Sequence, residues 1–141
     1  MRPPTSRTMA VLRTRDPEPV ELAWGLICAS WGLWLVLPFT TWTGAAYAVM
    51  RSVWQWETLQ GGSFMAVGIY RIVLAVRGGH ILARLLLALL AALLWAITLV
   101  SIAAWHWQST GTPVYAAFVL VNLWAAWRLA SELRSDSDGR R

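Results

Sequence analysis

Residues 22–50 run for 29 positions without a charged side chain, and the first part, LAWGLICASWGLWLVLPF, is almost continuously apolar. A hydrocarbon core of ~30 Å takes about 20 apolar residues of α-helix, and this segment supplies most of them before Pro38, Thr40 and Thr41 interrupt it. The pattern returns three more times. Residues 56–76 form a second apolar run, broken by Glu57, Gly61, Gly62 and Arg71. Residues 85–104 form a third, with no charge and only Thr98 and Ser101 as polar groups, and a fourth follows the restart Gly111-Thr112-Pro113. Four spanning helices over about 20–37, 56–76, 82–104 and 113–130 are predicted. Backbone polar groups in lipid must be satisfied within the segment, so such runs are helices. The short Arg77-Gly78-Gly79-His80 turn makes the second and third spans antiparallel neighbours. The fold class is therefore an all-α integral membrane protein, four transmembrane helices in an antiparallel bundle.

Between the first two spans, residues 45–56 carry one charge and several large aromatics, which predicts an interfacial helix. Trp42, Tyr47, Trp54 and Trp56 would then sit at headgroup depth, where an indole keeps its ring in the apolar zone and its N–H in water. Thr112 and Pro113 suit the N-cap and first helical position of the fourth span. Residues 1–19 and 131–141 are polar and charged, and are expected to be flexible cytoplasmic tails.

Small residues mark where helices can approach. Trp-Gly-Leu occurs at 24–26 and again at 31–33, and a spacing of seven puts Gly25 and Gly32 on nearly one face with Ala29 between them. Leucine at Gly25 and Gly32 is expected to disrupt assembly while leaving insertion intact. Ala88, Ala92 and Ala96 form a second strip. Asn122, near the middle of the fourth span, must find a partner on another helix.

Composition agrees with this reading: 57% of residues are hydrophobic and 13% charged. The net charge of +5 comes from twelve arginines, which lie at the ends of the apolar runs. That dispersal argues against nucleic acid as a partner. Eleven arginines fall on one side of the four spans and only Arg51 on the other, a positive-inside bias that places both termini in the cytoplasm. Trp105 and Trp107 then anchor the outer interface and Trp124 and Trp127 the inner one. The basic, apolar N-terminal region reads as an uncleaved signal anchor. Met9 offers a second start codon.

Candidate chemistry is sparse. Cys28 is the only cysteine, so neither an intramolecular disulfide nor a cysteine-based zinc site can form. Glu21 and Arg71 lie toward the inner ends of their spans, where they could pair with each other but are expected to reach water. His80 and His106 fall on opposite sides and cannot share a haem. No nucleophile stands with a histidine and a carboxylate. The expectation is a non-enzyme with no catalytic residue, no metal and no cofactor.

Pro19, Glu21-Leu22, Trp24-Gly25-Leu26, Trp31-Gly32-Leu33-Trp34, Ala46-Tyr47-Ala48-Val49-Met50, Pro113-Val114-Tyr115 and Asn122-Leu123-Trp124 together resemble small multi-span membrane proteins encoded by bacteriophages and prophages. The resemblance implies a phage origin and transfers no activity. The first functional expectation is a membrane protein that oligomerises in the bacterial inner membrane in a holin-like manner. The alternative is a membrane anchor or an assembly or regulatory subunit of a larger complex. A small transporter or channel ranks below both, because no pore-lining polar series is visible in the sequence. The expected partners are the lipid bilayer and either further copies of the chain or other membrane proteins.

Overall fold

The computed structural model describes residues 19–38, 45–53 and 57–138. Among them every regular element is helical: α1 (Pro19–Val36), a 3₁₀ turn (Ala45–Tyr47), α2 (Ala48–Val53), α3 (Glu57–Arg77), α4 (Ile81–His106) and α5 (Gly111–Asp138). α1, α3, α4 and residues 111–134 of α5 are each long and apolar enough to cross a membrane. α4 is the most apolar, with a mean hydropathy of 2.7 over its best window.

The chain reverses where its local chemistry demands. Gly78 takes φ +66°, the left-handed conformation that favours glycine. The next amide, of Gly79, donates to the Leu74 carbonyl at 2.8 Å and closes α3 in a Schellman arrangement. His80 starts α4, its Nδ1 accepting from the Leu82 amide at 3.3 Å. Between α4 and α5 the capping role falls to Ser109. Its carbonyl accepts from the Thr112 amide at 3.0 Å and its hydroxyl from the Gly111 amide at 3.3 Å. The expected cap, Thr112, lies inside the helix with its hydroxyl buried and unbonded.

One further expectation needs correction. α5 does not stop at residue 130 but continues to Asp138. An Arg128–Glu132 contact of 3.7 Å, spaced i to i+4, helps carry the helix past the apolar stretch. The segment expected as an interfacial helix is helical over its described residues, a 3₁₀ turn and a six-residue helix that pack against α4, with Met50 wholly buried. Trp42, Trp54, Trp56 and residues 1–18 lie outside the described residues.

The four long helices form two antiparallel pairs. α1 lies along α3, and α4 along α5; contact between α3 and α4, though they are joined by the short turn, is much sparser than contact within either pair. The two ends of the bundle are called the turn end, where α3 passes into α4, and the loop end, where α4 passes into α5. Trp95 fills the space between the pairs. It is fully buried, with ring centroids 4.6 Å from Phe64, 4.7 Å from Phe118 and 5.8 Å from both Trp31 and Tyr115. Phe64 and Phe118 meet Trp95 edge to face, an arrangement their quadrupoles favour, while Tyr115 stacks and Trp31 is tilted.

Candidate functional site

Within each pair the contact is made by small residues. A Cβ placed on Gly32 would fall 2.5 Å from the Gly61 carbonyl oxygen, one on Gly68 would fall 2.6 Å from the Gly25 carbonyl oxygen, and one on Gly61 would fall 2.8 Å from that of Gly32. The backbones of α1 and α3 therefore touch at these points, and no side chain larger than hydrogen fits. Gly61 and Gly68 repeat the seven-residue spacing of Gly25 and Gly32 on the opposing helix. The sequence reading treated Gly61 only as an interruption of the span. Ala29 lies between the crossings, its backbone against Gly68.

The α4–α5 pair uses alanine: Ala88 packs with Ala125, Ala126 and Leu129 in one buried cluster. Ala92 is buried and Ala96 half-buried. Ala91, Ala125 and Ala126 belong to buried packing that the every-fourth-residue strip did not include. Trp105, Trp107, Trp124 and Trp127 are exposed on the bundle surface, with the Arg128 guanidinium 6.0 Å from the Trp124 ring centroid.

Polar side chains do the opposite work: they join one pair to the other. At the turn end a single oxygen of Glu21 on α1 accepts from Nε of Arg84 on α4 at 2.8 Å, and an Nη of Arg84 lies 2.6 Å from it. Deeper in, an Nη of Arg71 on α3 donates to the Asn122 side-chain carbonyl on α5. The Asn122 amide donates to the Phe118 carbonyl at 2.7 Å, which orients its oxygen toward Arg71. Nearer the loop end, Nε2 of Gln60 on α3 donates to the Thr98 hydroxyl on α4 at 3.4 Å, and that hydroxyl donates to the Leu94 carbonyl at 3.1 Å. Each of these three inter-helix bonds crosses from the α1–α3 pair to the α4–α5 pair. Glu21, Gln60, Arg71, Arg84, Thr98 and Asn122 are all buried.

This seam overturns the expectation that Glu21 and Arg71 reach water. Arg71 lies about 9 Å from the end of α3 at 1.5 Å per residue, within reach of the surface for a lipid-facing arginine. Its face of the helix points inward instead, where Asn122 waits. Asn122 does find an interhelical partner, and that partner is charged. The seam also supplies a polar series that a linear reading of the spans does not reveal, because its members come from four helices. Thr98→Val is expected to remove the Gln60 contact at a cost of about 0.6 kcal/mol, ~1.7 at most, as for other interhelical hydrogen bonds in lipid. Denaturation in mixed detergent micelles measures the difference.

A second feature lies on the outside. Between α1 and α5, toward the loop end, is an apolar groove of about 560 Å³. Leu26, Ile27, Trp31 and Trp34 line one side, Tyr115 and Phe118 the other, and buried Trp95 also contributes to the lining. No group of three or more histidine, cysteine or carboxylate side chains able to hold a metal ion occurs among the described residues. No protein-family model, curated protein or solved structure matches the chain.

Proposed function

We propose that this chain is a non-enzymatic membrane protein of bacteriophage type that acts in the bacterial inner membrane, with both termini cytoplasmic, and changes the permeability of that membrane in a holin-like manner. The observation that carries the reading is the polar seam. Polar and charged groups at membrane depth are costly and belong by default to functional pathways. Each helix pair here meets through glycine or alanine, whereas the surface between the pairs carries two arginines, a glutamate, an asparagine, a glutamine and a threonine. Parting the pairs along that surface would expose hydrogen-bonding groups on either side of the Trp95 aromatic cluster.

The eleven-to-one distribution of arginines supports a cytoplasmic turn end. The glycine faces are occupied within the chain, so oligomerisation, which the holin-like reading includes, falls to the outer surface. Exposed Leu86, Leu89, Leu90 and Leu93 of α4 are part of that surface. A second reading, a membrane anchor or assembly subunit, is supported by the groove between α1 and α5, whose aromatic lining suits another apolar segment at the same depth.

Expression in a bacterial host, with membrane potential and culture density recorded together, separates the two. Abrupt, timed depolarisation is the expected result. A culture that keeps its potential while its membranes fill with inserted protein contradicts the permeability reading and leaves the assembly reading standing.

A further inference from the structure

The charge along the seam does not balance. Two guanidiniums, Arg71 and Arg84, and one carboxylate, Glu21, are buried there. Arg84 places two of its donors on one Glu21 oxygen and so neutralises that carboxylate locally. Arg71 donates to a neutral carbonyl, that of Asn122, and shares Glu21 with Arg84 as the one buried carboxylate facing both guanidiniums among the described residues. A neutral acceptor satisfies a hydrogen bond but leaves the positive charge of the guanidinium in place, and a low-dielectric surrounding screens that charge poorly. Glu21, Arg71 and Arg84 also face one small space between the helices, too tight to admit a water molecule in this conformation.

A second observation lies farther along the seam. Ser101 is one helical turn beyond Thr98 on α4, is 1% exposed, and its hydroxyl has no partner; the Gln60 side-chain oxygen is likewise buried and unbonded. The Ser101 hydroxyl proton is thus available to an acceptor that the closed bundle does not contain. A hydrated seam would offer a small anion one excess guanidinium near the turn end and a free hydroxyl donor toward the loop end. Cations would meet that excess charge as a barrier, as in pores whose selectivity rests on arginine or lysine.

We propose that the seam between the two helix pairs is a path for small inorganic anions of the chloride class, with Arg71 as the binding position, the Glu21–Arg84 pair closing its turn end and the Trp95 aromatic cluster closing its middle. The proposal rests on the permeability reading and adds the sign of the permeant ion. Asn122 positions Arg71, since its own amide is held by Phe118. The unbonded Ser101 hydroxyl lies farther along the path, beyond Gln60 and Thr98.

The purified full-length chain in a planar bilayer, under an asymmetric potassium chloride gradient, gives the test. The wild-type current is expected to reverse on the chloride side of zero, with chloride preferred over potassium on the order of tenfold, the scale one largely water-screened charge supplies. Arg71→Gln is expected to move the reversal toward zero, and Arg71→Lys, which keeps the charge, to hold it near the wild-type value. Reversal on the potassium side, or the same reversal in wild type and Arg71→Gln, overturns the anion path while leaving the permeability reading intact. If Arg71→Gln does not insert, the wild-type reversal alone decides the sign. Bilayers that contain inserted wild-type protein and carry no current overturn the permeability reading itself, and the anion path with it.

Discussion

Leucine in place of Gly32 or Gly68 is expected to cost about 3 kcal/mol or more, at the top of the range for overpacked interiors or beyond it. At both positions the new Cβ meets backbone atoms of the facing helix. No rotamer change can relieve such a clash, so α1 and α3 must move apart along their length and give up the contacts beside the crossing. Cys28 and Leu35 of α1, with Phe64 and Val67 of α3, lie in the cluster that would open. Gly25→Leu should be milder, because the closest obstacle there is a side-chain atom, Cγ1 of Ile72 at 2.7 Å, and the nearest backbone atom, the Gly68 carbonyl oxygen, stands off at 3.1 Å. Gly62 is the internal control. A Cβ there meets nothing within 4 Å, so leucine should change stability by no more than about 0.5 kcal/mol against the packing and gain something from helix propensity. Unfolding by added dodecyl sulfate, followed through tryptophan fluorescence, ranks the four variants. The ordering Gly32 and Gly68 above Gly25 above Gly62 is the expected result, and equal sensitivity at Gly62 and Gly32 would contradict the backbone crossing.

Glu21→Gln is expected to cost about 3–5 kcal/mol, the range for removing one partner of a buried ion pair. The loss is larger than the net worth of the pair, because Arg84 is left charged, buried and without its carboxylate. Replacing both Glu21 and Arg84 with methionine should recover most of the loss, since apolar side chains of similar size need no compensation inside a membrane bundle. The same unfolding titration measures both proteins. A double variant no more stable than Glu21→Gln would mean that the pair is not buried as a unit.

The spans were legible because their length and apolarity are local properties: 20 residues without charge at 85–104 can be read with no knowledge of their neighbours. The face formed by Gly25, Ala29 and Gly32 was visible for a related reason, since a seven-residue spacing defines one side of one helix. What that side meets was not visible. Gly61 and Gly68 have the same spacing, but in a span that also holds Glu57 and Arg71 the first reads as an interruption and the second does not stand out. Only the facing backbone gives them meaning. The glycine contact then proves to be internal, so the variant expected to disturb assembly between copies bears first on the fold of one chain.

The polar seam was hidden for a different physical reason. An arginine six residues from a helix end can snorkel to water or turn inward, and the choice depends on the rotation of that helix about its axis. Tertiary packing sets that rotation. The close glycine contact holds α3 against α1 and leaves Arg71 on the side facing α5. Glu21 was similarly ambiguous until α4 brought Arg84 beside it. Trp95 illustrates the same limit, for tryptophan in a span suggests an interfacial anchor, yet this one is completely buried and organises the aromatic core between the pairs.

The central claim is that two small-residue helix pairs meet along a buried polar seam, and exchange of its outermost charges tests it most directly. Glu21→Arg and Arg84→Glu are each made alone and then together, and the midpoint of unfolding is measured for the three proteins beside the wild type. Each single exchange sets like charges against one another and should be strongly destabilised, while the double exchange restores an opposite pair and should return most of the lost stability. A double variant as unstable as the sum of its singles would contradict the account, because Glu21 and Arg84 could then not be partners across the two pairs.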